Sequence, residues 1–267
     1  MATTFETAIL ALSPMLNYDG SLDGSSNLTS DGSEAFSLTP TSSPGSAGTG
    51  PTGTGDVTWN PGGIGYFSTS AANAALNATT TGTIIFSWKT GVSLTAENQW
   101  LWAQGRDNSG AQIMGFYLNA AGGIRFVIAV NGFSSNSLIM TPDVAGEYDD
   151  DTWHFAAIRQ KADTTGIELY VDGSWLAVTN AALGTSSVDD WHDYFESVVL
   201  VNRFRFGRAS NGTATGLQEG ESSHISFYSS ALTDVQVGNL YNAWLSSIPF
   251  DVKTVRRNGR RLFSENI

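Results

Sequence analysis

"DDDTWHFAAIRQKADTTGIELYVDG", residues 149–173, places three aspartates before Trp-His, then an apolar run, a polar break, a second apolar run and Asp-Gly. Ile167, Leu169 and Val171 alternate with Glu168, Tyr170 and Asp172, as a half-buried strand requires. "KADTTG" predicts the turn of a hairpin back to Trp153–Gln160. Asp172-Gly173 predicts a tight turn with positive φ into Ser174–Val178. The stretch therefore reads as a three-strand meander, with its acidic cluster at the lip of a hairpin.

Working outward, the same grammar of strand and turn continues from Trp59. "GYFSTS", "GTIIFSWKT", "QWLWAQGR", "IMGFYLNA", "GIRFVIAVN", "NSLIMT", "SVVLVNRFRFG" and "SHISFYSS" follow one another with Gly, Asn and Asp between them. That spacing predicts an all-β sandwich or barrel. Trp88, Trp100, Trp102 and Trp153 are assigned to its core. Two helices are expected. "TTFETAILALSP" puts Phe5, Ile9 and Leu12 on one face, with Thr3 and Glu6 at capping-box spacing and Pro14 as the stop. In "LTDVQVGNLYNAWL", Thr233 and Gln236 repeat that spacing, and Val237, Leu240, Tyr241 and Trp244 form an apolar stripe for packing on the sandwich.

Four segments result. Residues 1–18 hold the first helix and a first strand at "MLNY". Residues 19–58 are dominated by Gly, Ser, Thr and Pro and read as a loop or linker with one short strand at "AFSLT". Residues 59–250 form the sandwich. Residues 251–267 form a basic tail in which Asn258-Gly259 predicts a hairpin.

The chain of 267 residues has a net charge of −12 and no cysteine, so disulfides and Cys-ligated metals are excluded. The tail carries Lys253, Arg256, Arg257, Arg260 and Arg261 against Asp251 and Glu265, a net +3, which leaves the rest at −15. An acidic body opposes nucleic-acid binding. The N-terminus lacks the cationic start and apolar length of a secretory signal, and no stretch is long enough to span a membrane. Synthesis in a cytoplasm and no membrane insertion are expected.

"DTWHFAAIRQKADTTGIELYVDGSWLA" resembles the W-H…L-Y-V-D-G core of laminin-G-like domains in the concanavalin A-like lectin/glucanase superfamily. "GLQEGESSHISFYSSALTDVQVGNLYNA" resembles their closing segment. The likeness covers about residues 59–245. It implies a jelly roll of two packed antiparallel sheets whose C-terminal strand returns beside early ones. "AILALSPMLNYDG" also resembles the opening of bacteriophage laminin-G-like virion proteins, with Asp19 where that pattern has Trp.

The candidate sites follow from chemistry. Retaining glucanases of the superfamily carry Glu-x-Asp-x-Glu on one strand. Here Glu147-Tyr-Asp149-Asp-Asp151 ends in Asp and falls where a loop is expected, so a solvated acidic turn is the reading and no catalytic residue is assigned. Asp149, Asp150 and Asp151 could supply oxygens to calcium, the one cofactor considered. Asp189, Asp190 and Asp193 form a second acidic loop. His154, His192 and His224 show no metal-ligand spacing, and His154 is expected to be a strand residue hydrogen-bonded to a neighbour. Sugar binding needs flat rings on exposed loops, and Trp175, Trp191, Tyr194 and Trp59 are the candidates. Arg203, Arg205 and Arg208 read as the solvent side of an edge strand. Lys253, Arg256, Arg257, Arg260 and Arg261 are candidates for gripping an acidic partner or the next subunit.

The expectation is a non-enzymatic bacteriophage virion protein. It would decorate a capsid or tail, pack against other virion subunits or copies of itself, and touch glycans. A free carbohydrate-binding module or lectin is the alternative, and a polysaccharide-degrading enzyme comes third.

Overall fold

Alternation, β-branched residues and turn chemistry produce strands across most of the described residues. The structure, a computed structural model, describes residues 4–19, 28–34, 37–41, 45–49, 57–60, 66–69, 81–90, 98–105, 113–129, 136–142, 148–161, 167–184, 203–207, 220–248, 256–257 and 260–261. In chain order the elements are α1 (Thr4–Leu10), β1 (Leu16–Tyr18), β2 (Leu28–Thr29), β3 (Ser37–Thr41), β4 (Gly45–Thr49), β5 (Val57–Asn60), β6 (Tyr66–Thr69) and β7 (Gly82–Thr90). Next come β8 (Gln99–Gly105), β9 (Ile113–Leu118), β10 (Ile124–Ala129), β11 (Asn136–Pro142), β12 (Trp153–Gln160), β13 (Ile167–Val171), β14 (Ser174–Leu176) and β15 (Val178–Gly184). The chain continues with β16 (Arg203–Phe206), β17 (Gly220–Tyr228), α2 (Asp234–Ser247), β18 (Arg256–Arg257) and β19 (Arg260–Arg261).

Two antiparallel sheets make the jelly-roll sandwich. The first runs β14-β13-β12-β7-β17-β5-β4, with β1 also on β17; the second runs β15-β11-β10-β9-β8-β16-β6-β3-β2. The late strand β17 pairs with the early strands β1, β5 and β7, as the resemblance implies. Ile84, Phe86, Trp88, Ala156, Ile158 and Leu169 of the first sheet meet Trp102, Phe116, Phe126 and Phe206 of the second in one core.

The opposite face of the first sheet is apolar too, which a sheet can sustain only under cover. α1 and α2 supply it: Phe5, Ile9, Val237, Leu240, Tyr241 and Trp244 pack on Ile85, Trp153, Phe155 and Tyr170. The α2 start matches the expectation. Gln236 N donates to Thr233 Oγ1 at 3.2 Å, while Gln236 Oε1 accepts from Thr233 N at 2.8 Å.

The four core tryptophans are all buried, in three different places. Trp88 and Trp102 lie between the sheets, Trp153 lies under the helices, and Trp100 lies on the far face of the second sheet. A bulge opposite β9 explains Trp100. It turns Leu101 and Trp102 together into the core, and Gly115 leaves the room into which the Trp100 ring turns.

Two expectations need correction. Residues 19–58 hold more than the one short strand expected at "AFSLT": β3 overlaps that stretch and with β2 extends the second sheet, and β4 and the start of β5 extend the first. Leu38 of β3 enters the core, while β4 pairs through ladders such as Gly48↔Thr58 without an apolar pattern. β16 is not an edge strand, since β8 pairs on one side and β6 on the other, and Arg205 is buried. Phe206 enters the core.

The opening meander forms as read. β12 pairs β13 with Ala156↔Val171 and Arg159↔Glu168, and β13 pairs β14 with Tyr170↔Trp175. Asp172 and Gly173 have φ of 46° and 97°, the positive pair a two-residue hairpin needs. A Cβ at Gly173 would also lie 3.0 Å from Tyr241 Cε1 of α2. Gly173→Ala is therefore expected to cost about 1–2 kcal/mol, read as a lower urea midpoint at unchanged m-value.

Candidate functional site

The meander carries two linked clusters, one on each face. His154 alternates with Trp153 and Phe155, so it points into the space between the sheets, where it is fully buried. Its Nδ1 donates to Asp172 Oδ2 at 2.8 Å and its Nε2 to Asp150 Oδ1 at 3.1 Å. Asp172 Oδ1 also accepts from Phe155 N at 2.9 Å, tying the Asp-Gly turn to β12. Asp150 Oδ1 accepts from Thr152 N at 3.0 Å and from the Thr152 hydroxyl at 2.5 Å.

Burial alone would strip the proton from His154. The Asp172 charge, hydrogen bonds to both aspartates and the Asp150 charge outweigh it, raising the group from 6.5 to about 9. An imidazolium flanked by two carboxylates is the result. The Trp88 ring lies 5.2 Å from it, tilted by 33°, and Tyr148 meets it edge-on at 5.3 Å. His154 is thus the hydrogen-bonded strand residue expected, and its role here is to lock the turn.

On the other face, Trp175 of the edge strand β14 is half-buried. The Arg159 guanidinium stands over the indole at 3.9 Å from the ring centroid, and Tyr170 packs edge-on at 5.2 Å. Arg159 is itself 1% exposed. Its Nε donates to Glu168 Oε2 at 2.7 Å, its Nη1 to Leu232 O at 2.8 Å and to Asp234 Oδ1 at 2.7 Å, and its Nη2 reaches Glu168 Oε2 at 2.5 Å. Lys161 Nζ holds Glu168 Oε1 at 3.0 Å. One arginine therefore clamps the ring, β13 and the first turn of α2 together.

The other sequence candidates fall differently. The side chain of Trp59 lies outside the described residues, as do Trp191, Tyr194, His192, Glu147 and the acidic loop at 189–193. Asp149, Asp150 and Asp151 are not brought together as a calcium site. The carboxylate of Asp149 lies against Gly122, Asp150 turns inward onto His154, and Asp151 Oδ1 pairs with Lys89 Nζ at 3.1 Å. Asp150 also corrects the reading of a solvated acidic turn: only 8% of its side chain is exposed.

Glu6, Asp19 and Asp31 are the carboxylates that do converge among the described residues, with oxygens within 4.8 Å of one another. They form an oxygen-only donor set of the type hard cations take. Partial burial, with the Asp19 charge beside it, raises the Asp31 carboxyl above its ordinary range. No sequence signal joins these three, because they come from α1, the end of β1 and a distant turn. His224 is buried, with Nδ1 at 2.9 Å from Ser223 Oγ and its ring against Phe5. In the tail, Arg256↔Arg261 and Arg257↔Arg260 pair antiparallel, as the expected hairpin requires; Lys253, Asn258 and Gly259 lie outside the described residues.

No family model matches this chain, and no curated protein matches it. Solved structures do. The binding domain of botulinum neurotoxin serotype C1 superposes with a TM-score of 0.59 at 11% identity, over 87% of this chain and 52% of that one. The binding domain of botulinum neurotoxin DC, in complex with rat synaptotagmin II, gives 0.57 at 10% identity over 87% and 52%. The chain spans about half the length of these toxin domains. The CBM40 module of a Ruminococcus gnavus IT-sialidase, bound to alpha2,3 sialyllactose, gives 0.49 at 17% identity over 63% and 86%. The likeness is one of fold. No helix among the described residues is long and apolar enough to cross a membrane.

Proposed function

We propose that this chain is a non-catalytic, lectin-like carbohydrate-binding module that stacks a sugar ring on Trp175. The observation that carries the reading is the braced indole. It lies on a sheet edge, partly open to solvent, with Arg159 at 3.9 Å on its ring and Tyr170 beside it. A sugar presents a C–H face that packs on an aromatic plane and a rim of hydroxyls that need polar partners. Glu168 and Asp234, both paired with that arginine, and Lys161, paired with Glu168, supply such partners. Because the ring is already held, little rotamer freedom is lost on binding.

Catalysis finds no support in the glucanase-like string, whose described aspartates turn to three separate partners. The sandwich is shared with the binding domain of a botulinum neurotoxin. The laminin-G-like resemblance of the two sequence blocks fits the same reading. A phage virion role has no support in the comparisons, and the lectin alternative takes its place as the main reading. On a glycan array, the protein is expected to give a specific signal that Trp175→Ala lowers at least about tenfold, at a retained melting transition. Signal unchanged in Trp175→Ala would remove the proposal.

A further inference from the structure

Resting on that reading, we infer that the site selects uncharged, hydroxyl-rich sugars and discriminates against acidic ones. The donors and acceptors around Trp175 set this preference. Arg159 is the group best suited to a sugar carboxylate, yet it is 1% exposed and its Nε, Nη1 and Nη2 are engaged by Glu168, Leu232 O and Asp234. Lys161 is the second cation of the cluster among the described residues; its side chain is 56% exposed and its Nζ is shared with Glu168 Oε1 at 3.0 Å.

Beside that lysine, the groups of the cluster that face water among the described residues are acceptors. The Glu168 side chain is 38% exposed and that of Asp234 is 69% exposed. An ionised carboxylate accepts hydrogen bonds and donates none, so these groups welcome sugar hydroxyls. A sialic or uronic acid would bring a third carboxylate to two that already share the available cations, and like charges so placed oppose binding. Anchoring by the arginine is closed to it as well.

The test is an array carrying neutral oligosaccharides and their sialylated or uronic-acid counterparts, probed with the full chain, Trp175→Ala and Glu168→Gln. Neutral sugars are expected to bind in a Trp175-dependent manner, with the acidic counterparts about tenfold weaker or more. Glu168→Gln, which removes one rim charge at similar size, is expected to narrow that gap. Acidic sugars bound as tightly as neutral ones, with loss on Trp175→Ala, would overturn the selectivity and leave the Trp175 site standing. Absence of any Trp175-dependent signal, with both variants folded by their melting transitions, would overturn both.

Discussion

Asp172→Asn is expected to destabilise the protein by about 3 kcal/mol, because it breaks a buried charge pair and leaves the other partner behind. The amide oxygen can still accept from Phe155 N, and asparagine tolerates the positive φ of the turn, so the loss isolates the contact to His154 Nδ1. For a chain of this size that loss lowers Tm by about 6–12 °C. The pH dependence is a sharper signature. His154 releases its proton near 6.5 when unfolded and near 9 when folded. Between those values the folded state binds more protons, so stability falls as pH rises. Urea midpoints of the wild type should be high at pH 6 and decline through pH 9, and Asp172→Asn should flatten that decline. A wild-type profile flat from pH 6.5 to 9 would show that His154 is neutral in the folded protein.

Trp88→Ala is expected to cost about 3–5 kcal/mol, the range for truncating a large buried ring. The indole is fully buried between the sheets, 5.4 Å from Phe86, 5.6 Å from Phe116 and 5.2 Å from His154. Its contact with the imidazolium adds about 1 kcal/mol of attraction between a ring face and a cation. The two variants share that partner, so their effects should not add. In a double-mutant cycle, Trp88→Ala with Asp172→Asn is expected to show a coupling of about 1 kcal/mol. Independent effects would mean that Trp88 only fills space.

Most of the sandwich was legible because its information is local. Alternation in Ile167–Val171, the Asp172-Gly173 turn and the Thr233/Gln236 cap each act within a few residues, and each appears where expected. Pairings between distant segments were not legible. β6 turns β16 into an interior strand, and nothing within "VNRFRFGR" reports it. Within residues 19–58, the strand expected at "AFSLT" overlaps β3, whose Leu38 is in the core, whereas β4 pairs through Gly48↔Thr58 and Thr49↔Val57 in a stretch whose composition reads as a loop.

The lock on His154 was readable in hindsight. With Ala156 opposite Val171, Asp172 must fall beside Phe155, and the carboxylate four residues before His154 completes the clamp. The place of Trp175 after the turn is legible in the sequence, but its brace by Arg159 is not. That contact joins the outer strand of the meander to a side chain two strands away, which also holds α2.

The central claim is that the indole on the edge of the first sheet is where sugar lands. A two-dimensional NMR titration of the full chain with a neutral array hit tests it most directly. The expected result is a saturable shift of the Trp175 indole Nε1–H and of amides in Ile167–Leu176, with the far face of the second sheet silent. Shifts centred instead on Trp100 and Tyr117, with Trp175 unmoved, would contradict the account.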